Sequence, residues 1–275
     1  MRKPALLIGL LLVAFGAWPV SPPLASAQQA PCRFFTEAGE GAGGFAVCDD
    51  ETARFRSALE KWGIAHIGYP ISRRYRHDGF VTQAFQKAIM QWRPAGNYVA
   101  LVNIFDELHA DGFDDRLLKA RQTPMQLPDD WDGDATFPGI VAGRQMLLEE
   151  HSAFRTTYYS VDNPLALFGL PTSDVMDMGN HYALRLQRTV FQEWKEDVPW
   201  ARAGQITIAN SGDIAKALGA LPVAALVPEA VPLHAPAQPP PPEPTPTPVP
   251  VLPSTPHPAP TQAPKAGSQG WRWVV

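Results

Sequence analysis

The stretch from Phe105 to Asp115 holds the densest group of side chains that could perform chemistry. Its carboxylates and one imidazole belong to Asp106, Glu107, His109, Asp111, Asp114 and Asp115. Such groups act as general acids and bases or bind metal ions. The same pattern also fits the solvated face of a helix, because Phe105 and Leu108 fall on the opposite face and Asp111-Gly112 is a turn pair. We therefore assign no catalytic residue from it.

Metal-ligand spacing is missing from the rest of the sequence. Residues 129–134 (DDWDGD) are rich in Asp, but Ala135 stands where a calcium-binding EF-hand loop needs Gly, and no Glu closes the loop. An acidic linker fits this stretch better. No His-x-x-x-His or Cys-His pair is formed by His66, His77, His109, His151 and His181. We predict neither a metal ion nor a cofactor. Ser72 and Ser173 lie outside any nucleophile-elbow motif.

Four aromatic residues are the predicted binding residues. They are Tyr69, Trp92, Tyr182 and Trp194. Exposed aromatic faces stack on sugar rings or on the side chains of a partner. The alternative is that Trp92 and Trp194 are buried anchors of small hairpins, which need a large apolar residue. Of the four, Tyr69 is the one we expect to be most exposed.

These aromatic residues belong to a segment that occurs twice. Residues 68–72 (GYPIS) return at 169–173 (GLPTS), and each copy precedes an alternating, Gln-bearing run that ends in Trp. The runs, Phe80–Trp92 and His181–Trp194, predict two hairpins that reverse near Gln86-Lys87 and Arg188-Thr189. Gln86 aligns with Gln187 and Ile89 with Val190, whereas the two Trp residues are one position out of step.

Helical patterns surround both hairpins. We predict helices over residues 50–62, 97–110, 114–121, 139–159 and 211–219, with a short strand at 205–209. Asn97 and Ser211 are the expected N-terminal caps of two of these helices. The sequence thus predicts an α+β fold of two divergent helix–turn–β-hairpin–helix repeats.

Composition divides the chain into four parts. Arg2 and Lys3, an apolar stretch and Ala25-Ser26-Ala27 predict a signal peptide at 1–27, followed by no membrane-spanning segment. The first repeat is expected in 28–122 and the second in 123–221. Of the 30 Pro residues, 16 lie between Pro228 and Pro264, which predicts a disordered, Pro-rich tail at 222–275.

Charge and cysteine content restrict the setting. Without Arg2 and Lys3 the chain has 21 basic and 27 acidic residues, a net charge of −6, which argues against nucleic acid as a partner. Cys32 and Cys48 are the two cysteines, and an exported chain meets oxidising conditions, so we predict a disulfide between them.

The repeated segments resemble the LGFP repeat of secreted bacterial proteins associated with the cell wall. The matching residues of the first copy are Gly68, Tyr69, Pro70, Ser72, Gln83, Phe85, Gln86, Ile89 and Trp92. Those of the second copy are Gly169, Pro171, Thr172, Ser173, Gln187, Val190 and Trp194. Neither copy has the family's Gly-Gly turn, and Leu170 replaces the aromatic residue. The front end, 34–39, looks like similar repeats of secreted proteins in filamentous green bacteria.

The resemblance implies a secreted, non-catalytic protein of the cell envelope that binds a polysaccharide or a surface protein. The alternative is a secreted hydrolase of wall material that uses Glu107 and Asp111 as acid and base. A third possibility is a scaffold whose Pro-rich tail docks a partner.

Overall fold

The computed structural model describes residues 31–232. The predicted signal peptide and the tail from residue 233 onward lie outside the described residues. The described strands are β1 (Cys32–Phe35), β2 (Phe45–Cys48), β3 (Tyr75–His77), β4 (Phe80–Ala84), β5 (Ile89–Arg93), β6 (Tyr98–Leu101), β7 (Met176–Asp177), β8 (His181–Arg185), β9 (Val190–Trp194) and β10 (Ile206–Ile208). The described helices are α1 (Phe55–Trp62), α2 (Ile64–Ile67), α3 (Ile104–Ala110), α4 (Asp114–Arg121), α5 (Phe137–Met146), α6 (Ser152–Tyr158), α7 (Pro164–Leu167) and α8 (Ser211–Leu218).

Helices and antiparallel sheets together confirm the predicted α+β class. The strands β3, β4, β5 and β6 form one four-stranded antiparallel sheet in sequence order, and β7, β8, β9 and β10 form another in the same order. We call these the first and second sheets. Each contains the predicted hairpin, β4–β5 or β8–β9, and one further strand on either side of it. Of these flanking strands, β10 is the one predicted at 205–209.

A two-stranded sheet stands at the N-terminal end of the described chain. β1 pairs antiparallel with β2, and Cys32 lies directly opposite Cys48. Their sulfur atoms form the predicted disulfide. Phe35 and Val47 of these strands are buried in the larger of two hydrophobic clusters, so the covalent link closes a loop that is itself packed on the core.

Each Gly-Pro segment is held on its sheet by the same two side chains, one Ser and one Gln. The Ser72 hydroxyl accepts a hydrogen bond from the Ala84 amide at 2.8 Å, and the Ser173 hydroxyl accepts one from the Arg185 amide at 2.9 Å. The side-chain oxygen of Gln86 accepts from the Tyr69 amide at 3.1 Å. Gln187 does the same for Leu170 at 3.0 Å. These Ser and Gln side chains therefore serve the backbone rather than a ligand.

The glycine of each segment is required by its surroundings. Gly68 has a φ of 77° and Gly169 a φ of 76°, a region that side-chain-bearing residues seldom adopt. A Cβ atom at either position would lie 2.7 Å from the Cβ of the Gln that binds the next residue. The Gly, Ser and Gln of the twice-occurring segment thus have a structural explanation in both copies.

The helix predicted from Asn97 begins later than expected. Residues 98–101 form strand β6, in which Val99 lies opposite Trp92, and the helix α3 starts at Ile104. The spacing of Val99, Val102 and Phe105 fits one helical face, but pairing with the edge of β5 overrides that local pattern. The predicted end of the helix at Asp111-Gly112 is confirmed.

Other helix boundaries differ from the prediction in smaller ways. α1 begins at Phe55 rather than at residue 50, because the Asp50 carboxylate accepts from the amides of Thr52 and Ala53 and holds a turn there. The pattern over 139–159 is divided into α5 and α6. α4 has the predicted bounds. Ser211 does not cap α8; its hydroxyl donates to the Lys87 carbonyl.

The helix that follows each sheet donates backbone hydrogen bonds to the hairpin turn of the other sheet. The Phe105 amide of α3 donates to the Gln187 carbonyl at 3.0 Å. The Gly212 and Asp213 amides of α8 donate to the Gln86 carbonyl at 2.9 and 3.1 Å. Through this exchange the two sheets share a second hydrophobic cluster, which includes Phe105 from α3 and Ala215 from α8.

The segment after α8 packs against residues from the N-terminal half of the described chain. The Arg73 amide donates to the Ala225 carbonyl at 2.7 Å, and Glu229 pairs with Gly44 through two backbone hydrogen bonds. The first residues of the predicted tail, up to Glu229, are therefore part of the fold.

Candidate functional site

The one-residue offset between the two Trp residues places them on opposite faces of their sheets. The Ser-anchored residues Ala84 and Arg185 correspond, and from them Gln91 corresponds to Gln192. The position equivalent to Trp92 is then Glu193. Because side chains alternate along a strand, a shift by one residue moves a side chain to the other face. Trp92 and Trp194 are both buried, at 8% and 5% exposure, but in different surroundings.

Trp92 belongs to the larger hydrophobic cluster, whereas Trp194 belongs to a polar and aromatic one. The Trp194 indole lies 4.8 Å from the His181 ring, centroid to centroid, and its Nε1 donates to the Thr207 hydroxyl at 2.9 Å. The ring of Trp200 meets it edge to face at 5.5 Å and 80°. Trp92 thus stabilises the core, and Trp194 is the rigid base on which Trp200 rests.

An open groove of about 890 Å³ lies beside this Trp pair. β9 and β10 form one wall, and the end of α4 and the start of α8 form another. Its polar lining among the described residues comes from Lys87, Arg121, Gln122, Gln192, Thr207, Asn210 and Asp213. Trp200 is 65% exposed, and its ring contacts that of Trp194. The groove therefore offers one large apolar face beside hydrogen-bond donors and acceptors.

Burial changes the pKa values of two charged groups that line the groove. Burial raises the pKa of Asp213, although the Asn210 amide, which donates to its carboxylate at 3.0 Å, acts in the opposite direction. Burial lowers the pKa of Lys87, whose ammonium donates to the Ala65 carbonyl at 2.7 Å. Arg121 is exposed at the rim of the groove.

The groove is better equipped for binding than for cleavage. Glycoside hydrolysis needs two carboxyl groups on opposite sides of the scissile bond. Asp213 is the one carboxylate among the described residues that line the groove. An aromatic face beside amide and hydroxyl groups can bind and orient a ligand.

The four predicted binding residues do not come together. Tyr69 is half-buried, 6.0 Å from the ring of Phe35. Tyr182 lies on the opposite face of its strand from His181, and Lys195 sits 4.2 Å above its ring. Of the four, Trp194 alone lines the groove. Sequence reasoning missed Trp200, whose only signal is an aromatic residue after Pro199 in a polar loop.

The acidic stretch is divided among separate partners. Glu107 contacts His77, and Asp114 binds both Arg185 and His109. Asp111 is exposed at the end of α3. In the second acidic stretch, Asp132 forms a bidentate pair with Arg144. Most of the side chains in the 105–115 stretch that could have served as acids, bases or metal ligands thus take part in salt bridges within the fold.

Two histidines are expected to have pKa values on opposite sides of the ordinary histidine pKa. The Asp114 carboxylate, hydrogen-bonded to Nδ1 of His109 at 2.6 Å, raises the pKa of that ring, and Asp129 adds to the effect. Burial lowers the pKa of His181. An NMR pH titration of the imidazole resonances should therefore place the midpoint of His109 above about 6.5 and that of His181 below it. Coincident midpoints would contradict both environments.

No protein-family model matches the chain, and no curated protein is similar to it. The LGFP resemblance therefore stays a prediction. Within residues 31–232, every helix is too short or too polar to cross a membrane.

Proposed function

We propose that this chain is a secreted, non-catalytic binding protein of the cell envelope, and that the groove beside Trp194 and Trp200 holds a polysaccharide. The observation that carries the proposal is Trp200, whose ring is largely exposed in the groove while it contacts the buried ring of Trp194. A rigid aromatic side chain loses little entropy when a ligand stacks on it, so its exposed area is available for binding.

The polar lining of the groove supports a sugar ligand. Gln192, Thr207 and Asn210 provide amide and hydroxyl groups that can pair with sugar hydroxyls. The openness of the groove suits a chain that passes through it rather than a small ligand that is enclosed. The hydrolase alternative depends on Glu107 and Asp111, and neither of them lines the groove.

The remaining parts of the proposal follow the sequence. The twice-occurring segments, as LGFP-like repeats, are the scaffold that holds the second sheet and its groove in place. The disulfide is consistent with export to an oxidising compartment. Surface polysaccharide is favoured over a surface protein because a single exposed aromatic residue beside hydrogen-bonding groups suits one sugar ring better than a protein interface, which needs a larger apolar core.

Replacing Trp200 by Ala should weaken polysaccharide binding by about tenfold or more, because stacking on an aromatic ring contributes about 1–3 kcal/mol. The stability of the fold should hardly change, since the side chain is mostly exposed. The measurement is co-sedimentation of the mature protein with isolated cell-envelope polysaccharide, with cellulose and chitin as defined comparison polymers.

Tyr98 is the matched control. It is also an exposed aromatic residue, at 55%, but does not line the groove. Tyr98→Ala should sediment as the unchanged protein does. A saturation curve for Trp200→Ala that overlays that of the unchanged protein would refute the groove as the site. Release of reducing sugar during the incubation would instead favour the hydrolase.

A further inference from the structure

His77, Asp78 and Glu107 converge on one point of the surface. His77 is the last residue of β3, Asp78 is the first residue of the turn to β4, and Glu107 lies on α3. Asp78 and Gly79 both have positive φ angles, 50° and 77°, as a two-residue hairpin turn requires. The turn therefore holds Asp78 beside His77, and packing of α3 on the first sheet supplies Glu107.

Both carboxylates face the same imidazole nitrogen. Nε2 of His77 lies 3.1 and 3.2 Å from the two oxygens of Glu107 and 3.6 Å from Oδ2 of Asp78. One ligand atom from each residue can be chosen so that all three lie within 4.8 Å of one another. In a tetrahedral zinc site with bonds of about 2.0–2.1 Å, neighbouring ligand atoms are about 3.4 Å apart. The distances from Nε2 of His77 to the two carboxylates are close to that value, and the carboxylate oxygens lie within 4.8 Å of each other.

A second histidine with two carboxylates shows why convergence matters. His109 binds Asp114 through Nδ1 at 2.6 Å and Asp129 through Nε2 at 3.0 Å. The two carboxylates lie at opposite edges of that ring, each beside a different nitrogen. A single ion therefore cannot bind both carboxylates and one ring nitrogen at once. The composition is that of the His77 group, but the geometry is that of a hydrogen-bonded bridge.

The charge at the His77 group is not balanced by a permanent cation. Within the described chain, the ion-pair contacts of Asp78 and Glu107 are with His77 alone, and no Lys or Arg lies within ion-pair distance of either. Two carboxylates beside a neutral imidazole attract a divalent cation, and they leave at least one coordination position open to water. His77 is also fixed through its carbonyl, which accepts from the Gln91 amide at 3.1 Å.

We infer that His77, Asp78 and Glu107 form a surface binding site for a divalent transition-metal ion of the zinc class. The ion takes the place of the hydrogen bond between Nε2 and Glu107 and is bound by one nitrogen and two carboxylate groups. One imidazole among the ligands favours Zn²⁺ over Mg²⁺ and Ca²⁺, which prefer oxygen ligands alone. None of the three residues lines the groove, so the site is independent of the proposed polysaccharide binding.

The test is a competition titration of the full mature chain with Zn²⁺ against a chromophoric chelator at pH 7.5. The unchanged protein should bind one Zn²⁺ that His77→Ala and Glu107→Gln each weaken by about tenfold or more. Excess Zn²⁺ should raise the thermal midpoint of the unchanged protein and not that of either variant. Mg²⁺ at the same concentration should have no effect on the midpoint.

His109→Ala is the matched control, because it removes a histidine with the same number of neighbouring carboxylates. It should bind Zn²⁺ as the unchanged protein does. Circular dichroism of each variant without metal tests whether it is folded. If His77→Ala does not fold, Glu107→Gln still tests the site, because Gln has nearly the shape of Glu. Zn²⁺ binding that survives in both site variants, or no saturable binding by the full chain, would overturn the inference.

Discussion

Replacing Arg185 by Met is expected to lower the free energy of unfolding by about 3–5 kcal/mol. Arg185 is completely buried on strand β8. Its guanidinium donates to the Asp114 carboxylate at 2.8 Å and to the Phe105 carbonyl at 2.5 Å. Met has a similar length but no donor, so the substitution keeps most of the volume, removes this donor from the Phe105 carbonyl and leaves the Asp114 carboxylate with His109 as its remaining charged partner. The costly part is the loss of a permanent positive charge beside a mostly buried carboxylate.

The control is Arg202→Met. Arg202 also forms an ion pair, with Asp197 at 2.9 Å, but its side chain is 83% exposed. Ion pairs between exposed side chains contribute little to stability, so this variant should unfold at nearly the same urea concentration as the unchanged protein. The Arg185→Met/Asp114→Asn double variant should recover part of the loss, since the carboxylate is then gone. If Arg185→Met lowers the free energy of unfolding no more than Arg202→Met does, the contacts of Arg185 with Asp114 and Phe105 do not stabilise the fold as proposed.

The same pair predicts the acid side of the stability profile. Burial raises the pKa of Asp114, but hydrogen bonds from Arg185 and His109 outweigh it and hold the pKa below its ordinary value. A carboxyl group with a lowered pKa in the fold stabilises the protein above its unfolded value of about 3.9, and this contribution is lost as the pH falls through the folded value. In Arg185→Met the loss should begin at a higher pH.

The parts of the fold that could be predicted are those with local signals. The Gln-bearing hairpins, the α4 helix and the end of α3 each follow from alternation, turn pairs or helical spacing over a few residues. Strand β6 could not be predicted, because Val99 is compatible with a helix until the edge of β5 is present to pair with it. The exchange of α3 and α8 between the sheets depends on contacts across about 80 to 125 residues, for which one sequence has no local signal.

The candidate site was predictable only through Trp194. Its offset from Trp92 was visible in the sequence, but the consequence, a different face of the sheet, needed the strand register. Trp200 and His77 belong to sites because of the residues folded against them. His77 and Glu107 are 30 positions apart, so no short spacing rule for metal ligands applies to them.

Replacing Gly212 by Ala is expected to destabilise the fold by about 3 kcal/mol or more. Gly212 lies in the first turn of α8, where the helix meets the hairpin turn of the first sheet. A Cβ atom there would lie 1.8 Å from the Phe85 carbonyl oxygen and 3.2 Å from that of Gln86. Both obstacles are backbone atoms, so no rotation of a side chain relieves the overlap. The Gly212 amide also donates to the Gln86 carbonyl at 2.9 Å, and separation of the two elements would lengthen this bond.

Gly143→Ala is the control that isolates this close approach. Gly143 also lies in a helix, α5, and the nearest atoms to its Cβ are those of the Trp131 ring at 3.8 Å, an ordinary contact. Ala is a better helix former than Gly by about 1 kcal/mol, so this variant should be slightly stabilised. The two Gly-to-Ala changes should thus move the urea midpoint in opposite directions. A stabilised Gly212→Ala variant would contradict the docking of α8 on the first sheet. The next two residues, Asp213 and Ile214, line the groove. As urea is added, the Gly212→Ala variant should therefore lose polysaccharide binding at a lower concentration than that at which it unfolds.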